Sequence, residues 1–225
     1  MFYYNTELTQ FSSDLSELVN GSNMFAYCDF MTKFEANLSS LVEGDFMFHN
    51  CSRLQQVGTE DYLYGYSVDM AQFSCDLSSL VMGLGMFEGC SNLQNFSTCL
   101  SNLHEGNSMF SKCINITNFD ASLENLRGGD FMFNYCINLS EFSSNLDKLV
   151  AGYYMFRDCR EMSNFDINMP KLERGEYMFQ GCSKLTTFTS DLSALTDGYC
   201  MFQYCDKLTS FTSDLSSLRY GEKMF

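Results

Sequence analysis

The amino-acid sequence predicts an α/β repeat solenoid, a stack of short coils with one parallel β-sheet along one side and short helical or 3₁₀ turns along the other. Three observations predict it. A 23-residue template, L-x-x-F-x-x-[D/N]-L-x-x-L-x-x-G-x-x-M-F-x-x-C-x-x, tiles nearly all of the 225 residues. Its opening apolar residue falls at Leu8, Met31, Met70, Leu93, Ile116, Leu139, Met162, Leu185 and Leu208, evenly spaced except between Met31 and Met70. The Gly-x-x-Met-Phe row carries no substitution from Gly21 to Gly221, and the composition (22 Phe, 15 Met, 11 Cys, one Pro, no Trp) is that of one template copied many times. Such a period is too short for a two-helix repeat and suits one coil whose strand stacks on the previous one about 4.8 Å away.

The strand is the segment from the first apolar residue to the Asp or Asn, as in Leu185-Thr-Thr-Phe188-Thr-Ser190, rich in β-favouring Thr and Phe. Asp14, Asn37, Asp76, Asn145, Asp191 and Asp214 follow it, where an Asx side chain accepts a backbone N–H at a turn. Leu-x-x-Leu-x-x-Gly then fits a 3₁₀ or short α turn closed by a left-handed glycine, or a second short strand. Met-Phe-x-x-Cys, with its i, i+3, i+4 spacing, reads as a helical turn on the return path. Columns of Leu, Phe, Met and Cys point inward because a single coil cannot bury its own apolar face.

A 16-residue unit, Leu54 to Asp69, lacks Met-Phe-x-x-Cys, so the solenoid narrows or bulges there. Met1-Phe2 and Met224-Phe225 stand in the same phase with no polar cap. The expectation is a single right-handed solenoid spanning 1–225, about ten coils, forming a segment of a longer protein or a unit that stacks end to end.

Forty-five per cent of the residues are hydrophobic, enough for a sizeable core. A net charge of −15 argues against nucleic acid, which needs a basic face. The longest apolar stretch, Leu80 to Phe87, is far shorter than the roughly 20 residues that span a bilayer, so no membrane insertion is expected. No export signal is visible at the N-terminus.

At Gly175-Glu-Tyr-Met178-Phe179-Gln-Gly-Cys182-Ser-Lys-Leu185-Thr-Thr-Phe188 the chain resembles the BspA-like leucine-rich repeats of microbial surface proteins, a resemblance that extends over its whole length. It departs in having Met for the family's Ala before Phe, Asp or Asn where proline is common, and a mid-coil apolar pair displaced by two residues. The resemblance implies a leucine-rich-repeat solenoid, at the cell surface or extracellular, used for adhesion or for binding macromolecules and commonly without enzymatic activity.

Eight cysteines (28, 51, 90, 113, 136, 159, 182 and 205) share one column, with Cys75, Cys99 and Cys200 elsewhere. They read as a buried reduced ladder; an odd total and parallel side chains argue against disulfides, and a line of thiols does not converge on a metal. His49 and His104 occupy different template positions and read as surface residues without a catalytic partner. No cofactor motif is present. Small polar residues flank the column phenylalanines and form either a ligand face or the solvated side of a sheet. The best candidates on that face are Thr186, Thr187, Thr189, Thr209, Ser210 and Thr212, with Tyr62, Tyr64 and Tyr66 of the irregular unit second. Phe46, Phe131, Tyr154, Tyr177 and Tyr199, with Tyr27, Tyr135 and Tyr204, make an aromatic strip that is either exposed for contacts or buried between coils. Asn-x-Ser/Thr sequons at Asn20, Asn37, Asn50, Asn95, Asn115 and Asn138 matter only in a secreting eukaryote. The leading function is a non-enzymatic binding or adhesion module for a protein or glycan. The alternative is a fibre, stalk or filament unit whose partners are its own copies.

Overall fold

The computed structural model describes residues 1–52, 56–57, 71–73 and 75–225. Tyr62, Tyr64 and Tyr66 lie outside the described residues, as does the irregular unit apart from 56–57. Ten short strands follow in chain order: β1 (Gln10–Ser12), β2 (Lys33–Glu35), β3 (Gln56–Val57), β4 (Ala71–Phe73), β5 (Leu93–Phe96), β6 (Asn118–Phe119), β7 (Glu141–Phe142), β8 (Asn164–Phe165), β9 (Thr187–Phe188) and β10 (Ser210–Phe211). Every pairing is parallel and sets phenylalanine beside its counterpart where both coils carry one, as in Phe11 with Phe34 and Phe165 with Phe188. The strands form three sheets, β1–β5, β6–β7 and β8–β10, instead of the single one expected. Two-residue strands carry so few ladder bonds that a small displacement between coils interrupts the pairing.

The expected helical and 3₁₀ turns are absent among the described residues. The Leu-x-x-Leu-x-x-Gly stretch ends in the other conformation considered, a second parallel ladder of single bridges running Asn20, Glu43, Met82, Glu105, Gly128, Ala151, Arg174, Asp197 and Tyr220. After it, backbone donors alternate between two destinations. The N–H groups of Gly21, Asn23, Phe25 and Tyr27 reach carbonyls of the following coil at 2.8–3.0 Å, whereas those of Met24 and Cys28 close local turns onto Gly21 and Phe25 at 2.9 and 3.2 Å. A helix would send all of them to i−4 along its own axis. Here every second donor is bound between coils.

Each local turn needs a positive φ at its third residue, as type II turns do. These positions are the residue before Met and the residue before Cys: Asn23 (60°), Tyr27 (61°), Tyr154 (56°), Asp158 (58°), Tyr177 (58°) and, where glycine is used, Gly85 and Gly89. The column glycine is not one of them, so the expected left-handed closure falls two residues late. Its invariance has a packing cause. A Cβ on Gly152 would sit 3.1 Å from Met178 Cε, and one on Gly175 3.2 Å from Met201 Cε, so each glycine makes room for the methionine of the next coil.

The Asx expectation holds at all six positions: Asp14, Asn37, Asp76, Asn145, Asp191 and Asp214 each accept the N–H two residues on, at 2.7–2.9 Å. This bond holds the Asp14 carboxyl below its ordinary pKa.

The core consists of two phenylalanine stacks. One runs from Phe2 through Phe25, Phe48, Phe87, Phe110, Phe133, Phe156, Phe179 and Phe202 to Phe225, with centroids 5.3–5.7 Å apart and planes within 12°. The other comes from the strands, for example Phe165–Phe188 at 5.7 Å and Phe188–Phe211 at 5.6 Å. The stacks meet edge to face, as in Phe179–Phe188 at 5.3 Å and 72°. Phe179 and Phe188 are fully buried, so Phe179→Ala or Phe188→Ala should each cost roughly 3–5 kcal/mol in chemical denaturation. Thr187→Ala, on the outer side of the same strand, should be nearly silent, and the opposite ranking would invert the assignment of the two faces.

Candidate binding face

The outward residues of β6–β10 form the face under consideration. Phe119, Phe165 and Phe188 turn inward, and the residues beside them turn outward because strand neighbours alternate. Thr186, Thr189, Thr209 and Thr212 are exposed, Thr187 and Ser210 half-buried. The six candidates thus stand together on β9, β10 and their flanks, but with two different jobs. Thr186 and Thr209 donate their hydroxyls to the carbonyls of Ser163 and Thr186 at 2.9 and 3.3 Å, reinforcing the sheet. The hydroxyls of Thr187, Thr189, Ser210 and Thr212 have no protein partner among the described residues.

Between β7 and β8, where the sheet is interrupted, the face opens into a cleft of about 240 Å³. Asn118, Asp120, Ser140, Glu141, Ser143, Asn164 and Asp166 line it, with Phe119 and Phe142 at its floor. Its three carboxylates make no ion pair among the described residues. These acids were not singled out from the sequence. The signal was available: Asp120 and Asp166 directly follow the column phenylalanine and Glu141 directly precedes it, where the other coils carry Ser, Thr, Gln or Asn except at Phe34, flanked by Lys33 and Glu35.

The opposite, turn side carries the aromatic strip. Tyr154 stacks between Phe131 and Tyr177 at 5.2 and 4.5 Å, and the Arg157 guanidinium lies over Tyr154 and Tyr135. Phe131, Tyr154 and Tyr177 are half-buried and cover one another, and Tyr135 is half-buried under Arg157, which favours burial over exposure for contacts; Tyr204 of the strip is 64% exposed.

His49 is less superficial than expected. Its ring packs edge-on against Tyr27 and Phe46, lies 3.0 Å from Asn50 Nδ2 and faces Glu88, which is also paired with Lys112 at 3.0 Å. Burial lowers its pKa, with Lys112 adding to the shift and Glu88 opposing it. Among the described residues no nucleophile completes the cluster. His104 is half-exposed, its Nδ1 2.8 Å from the Asn102 carbonyl. Among the described residues no group of three His, Cys, Asp or Glu side chains converges to hold a metal ion. Several sequon asparagines are engaged: Asn20 and Asn37 accept turn N–H groups, and Asn50 contacts His49.

All eleven cysteines are free thiols. The column sulfurs donate to phenylalanine carbonyls of the preceding coil, for example Cys51 to Phe25, Cys136 to Phe110 and Cys205 to Phe179, each at 3.1 Å. The same carbonyls accept the local turn bond from a cysteine N–H, so the thiol takes the second lone pair. Burial pushes these thiols up, Cys90 and Cys205 to about 12.

Parallel two- to four-residue strands paired coil to coil over an inward Leu/Phe core define a leucine-rich-repeat solenoid. The chain belongs to the BspA-type leucine-rich repeat family: the profile of that repeat region matches as six copies over residues 1–64, 20–140, 59–168 and 106–225, together the whole sequence. Such repeats generally mediate protein binding and are generally non-enzymatic, and this family is generally surface-associated. Among solved structures the chain is similar to a T. pallidum leucine-rich repeat protein (16% identity, TM-score 0.47, 80% of this chain and 69% of that one). It is also similar to a leucine-rich repeat protein from Bacteroides ovatus (18% identity, TM-score 0.40, 90% and 66%). No curated protein sequence matches significantly. Among the described residues no helix is long and apolar enough to cross a membrane.

A thiol whose pKa is raised on folding stabilises the fold fully below the unfolded value near 8.5 and loses that contribution as the pH climbs toward the folded value, at about 1.4 kcal/mol per pH unit per thiol. Stability measured by urea unfolding should therefore fall steeply above about pH 8.5. A Cys113→Ala/Cys136→Ala variant should flatten that slope.

Proposed function

We infer that the chain is a non-enzymatic binding module, extracellular or at a cell surface, that presents its sheet face from β6 to β10 to a protein or glycan ligand. The observation that carries this reading is the face itself: the hydroxyls of Thr187, Thr189, Ser210 and Thr212 and the carboxylates of the cleft, without a side-chain partner among the described residues, held on strands whose other side is fixed in the phenylalanine core. Thr187, Thr189, Ser210 and Thr212 form one end of the contact and the cleft at Asp120, Glu141 and Asp166 the other. The whole of 1–225, as one solenoid of 23-residue coils with one irregular unit at 54–69, acts as a single support for it.

Glycan and protein arrays probed with the purified chain supply the test. Replacing Thr187, Thr189, Ser210 and Thr212 together by Lys should leave circular dichroism unchanged and weaken the captured interaction at least about tenfold, the effect of losing about 1.4 kcal/mol of binding energy. Undiminished binding would move the site to the turn side. Native mass and negative-stain imaging of the same preparation separate the alternative, since concentration-dependent rods would favour copies stacking end to end.

A further inference from the structure

The cleft beside β7 lies where ring spacing at the strands is widest. The strand-side rings of Phe96, Phe119, Phe142 and Phe165 are 5.8, 5.9 and 6.0 Å apart, whereas the turn-side rings of the same coils, Phe110, Phe133, Phe156 and Phe179, are 5.5, 5.5 and 5.3 Å apart. Ladder bonds give way there. The N–H of Ser143 reaches the Phe119 carbonyl at 3.0 Å and that of Thr189 the Phe165 carbonyl at 3.2 Å. Among the described residues the equivalent bond from Asp166 to the Phe142 carbonyl is missing, which leaves a main-chain donor and an acceptor unspent across the gap. Phe142 is half-buried, whereas Phe119, Phe165 and Phe188 are buried, so the floor of the cleft is apolar and accessible.

The side chains around this floor alternate in kind. Thr117 Oγ1 donates to Asn118 Oδ1 at 3.3 Å and Ser163 Oγ to Asn164 Oδ1 at 3.0 Å, so both amide oxygens are engaged and both amide N–H₂ groups remain as donors. Glu141, an acceptor, stands between them at the same template position, and the neighbouring column repeats the mixture with Asp120, Ser143 and Asp166. A lysine or arginine side chain carries donors only and would meet the amide donors of Asn118 and Asn164. An anion would meet three carboxylates. A sugar hydroxyl accepts from an amide and donates to a carboxylate at once, and the C–H face of its ring suits the Phe142 floor. At about 240 Å³ the cleft is smaller than the roughly 300–1,000 Å³ of sites for drug-sized ligands, which fits a single ring. Resting on the reading of β6–β10 as the binding face, we propose that this cleft is the subsite for one uncharged hexose residue of a glycan. Glu141 and the two asparagines hold its hydroxyls, and the threonine rows of β9 and β10 meet the rest of the ligand.

The purified chain, probed against neutral glycans, glycans bearing sialic or uronic acids, and an immobilised oligolysine peptide, tests this. It should retain neutral glycans and neither of the others. Glu141→Gln and Asn164→Asp, both at exposed positions, should each leave circular dichroism unchanged and weaken neutral-glycan capture about tenfold, the scale of one hydrogen bond to a charged group. Capture of oligolysine instead, made stronger by Asn164→Asp, would overturn the proposal and leave the face a site for basic protein segments. Glycan capture that is lost on replacing Thr187, Thr189, Ser210 and Thr212 by Lys but kept in both cleft variants would overturn the cleft's role while keeping the face. Capture of no glycan would overturn it as well, and the wider reading of a binding module would then fail only if protein arrays were also blank.

Discussion

Ring-on-ring contact between successive coils is the constraint from which the other features follow. A phenylalanine in every turn layer, buried in all but the terminal ones, and another in nearly every strand can both stack on their counterparts only if each coil repeats the path of the last. Deviation at any position would then be multiplied along the column. The edge-to-face contacts between the two stacks, worth about 0.5–1.5 kcal/mol each beyond area burial, also fix the distance between strand side and turn side. Strand length is subordinate: two residues suffice when register is set by the rings and not by the ladder. The interruptions of the sheet leave both stacks continuous beside them, as at Phe142–Phe165 across the gap between β7 and β8.

Methionine, glycine and cysteine fill what the rings leave. The flexible methionine side chain lies over the backbone of the preceding coil, and only a glycine there gives it room. Cysteine is the small side chain that also supplies a weak donor to a carbonyl already holding one hydrogen bond. The Gly-x-x-Met-Phe-x-x-Cys signature is thus a set of contacts between coils more than within one.

Much of this was legible in the residues. The parallel repeat fold, the inward columns, the Asx turns and the cysteine column follow from side-chain type and spacing. The path of the return segment was misread because two consecutive four-residue turns place Gly, Met, Phe and Cys at the same three- and four-residue offsets as a helical turn. Asn23, Asn50, Asp158, Gly85 and Gly89 at the two left-handed positions were the distinguishing signal, since these types tolerate αL best, but the tyrosines and phenylalanines that share those columns obscured it. The cleft was hidden for another reason. It lies across β6, β7 and β8 where the sheet is interrupted, and the template gives no sign of where neighbouring strands stop pairing.

The alternation of backbone donors along the turn layer also has a mechanical side. Bonds from Gly21, Asn23, Phe25 and Tyr27 run between coils, along the direction of stacking. Tension applied through the two termini would pull on the outermost layer first and open its bonds a few at a time, as in a zipper, instead of shearing many strands at once. Each released coil would lengthen the chain by about 3.3–3.6 Å for every residue it frees. Under tension a support that is rigid at rest would thus lengthen stepwise, one coil at a time.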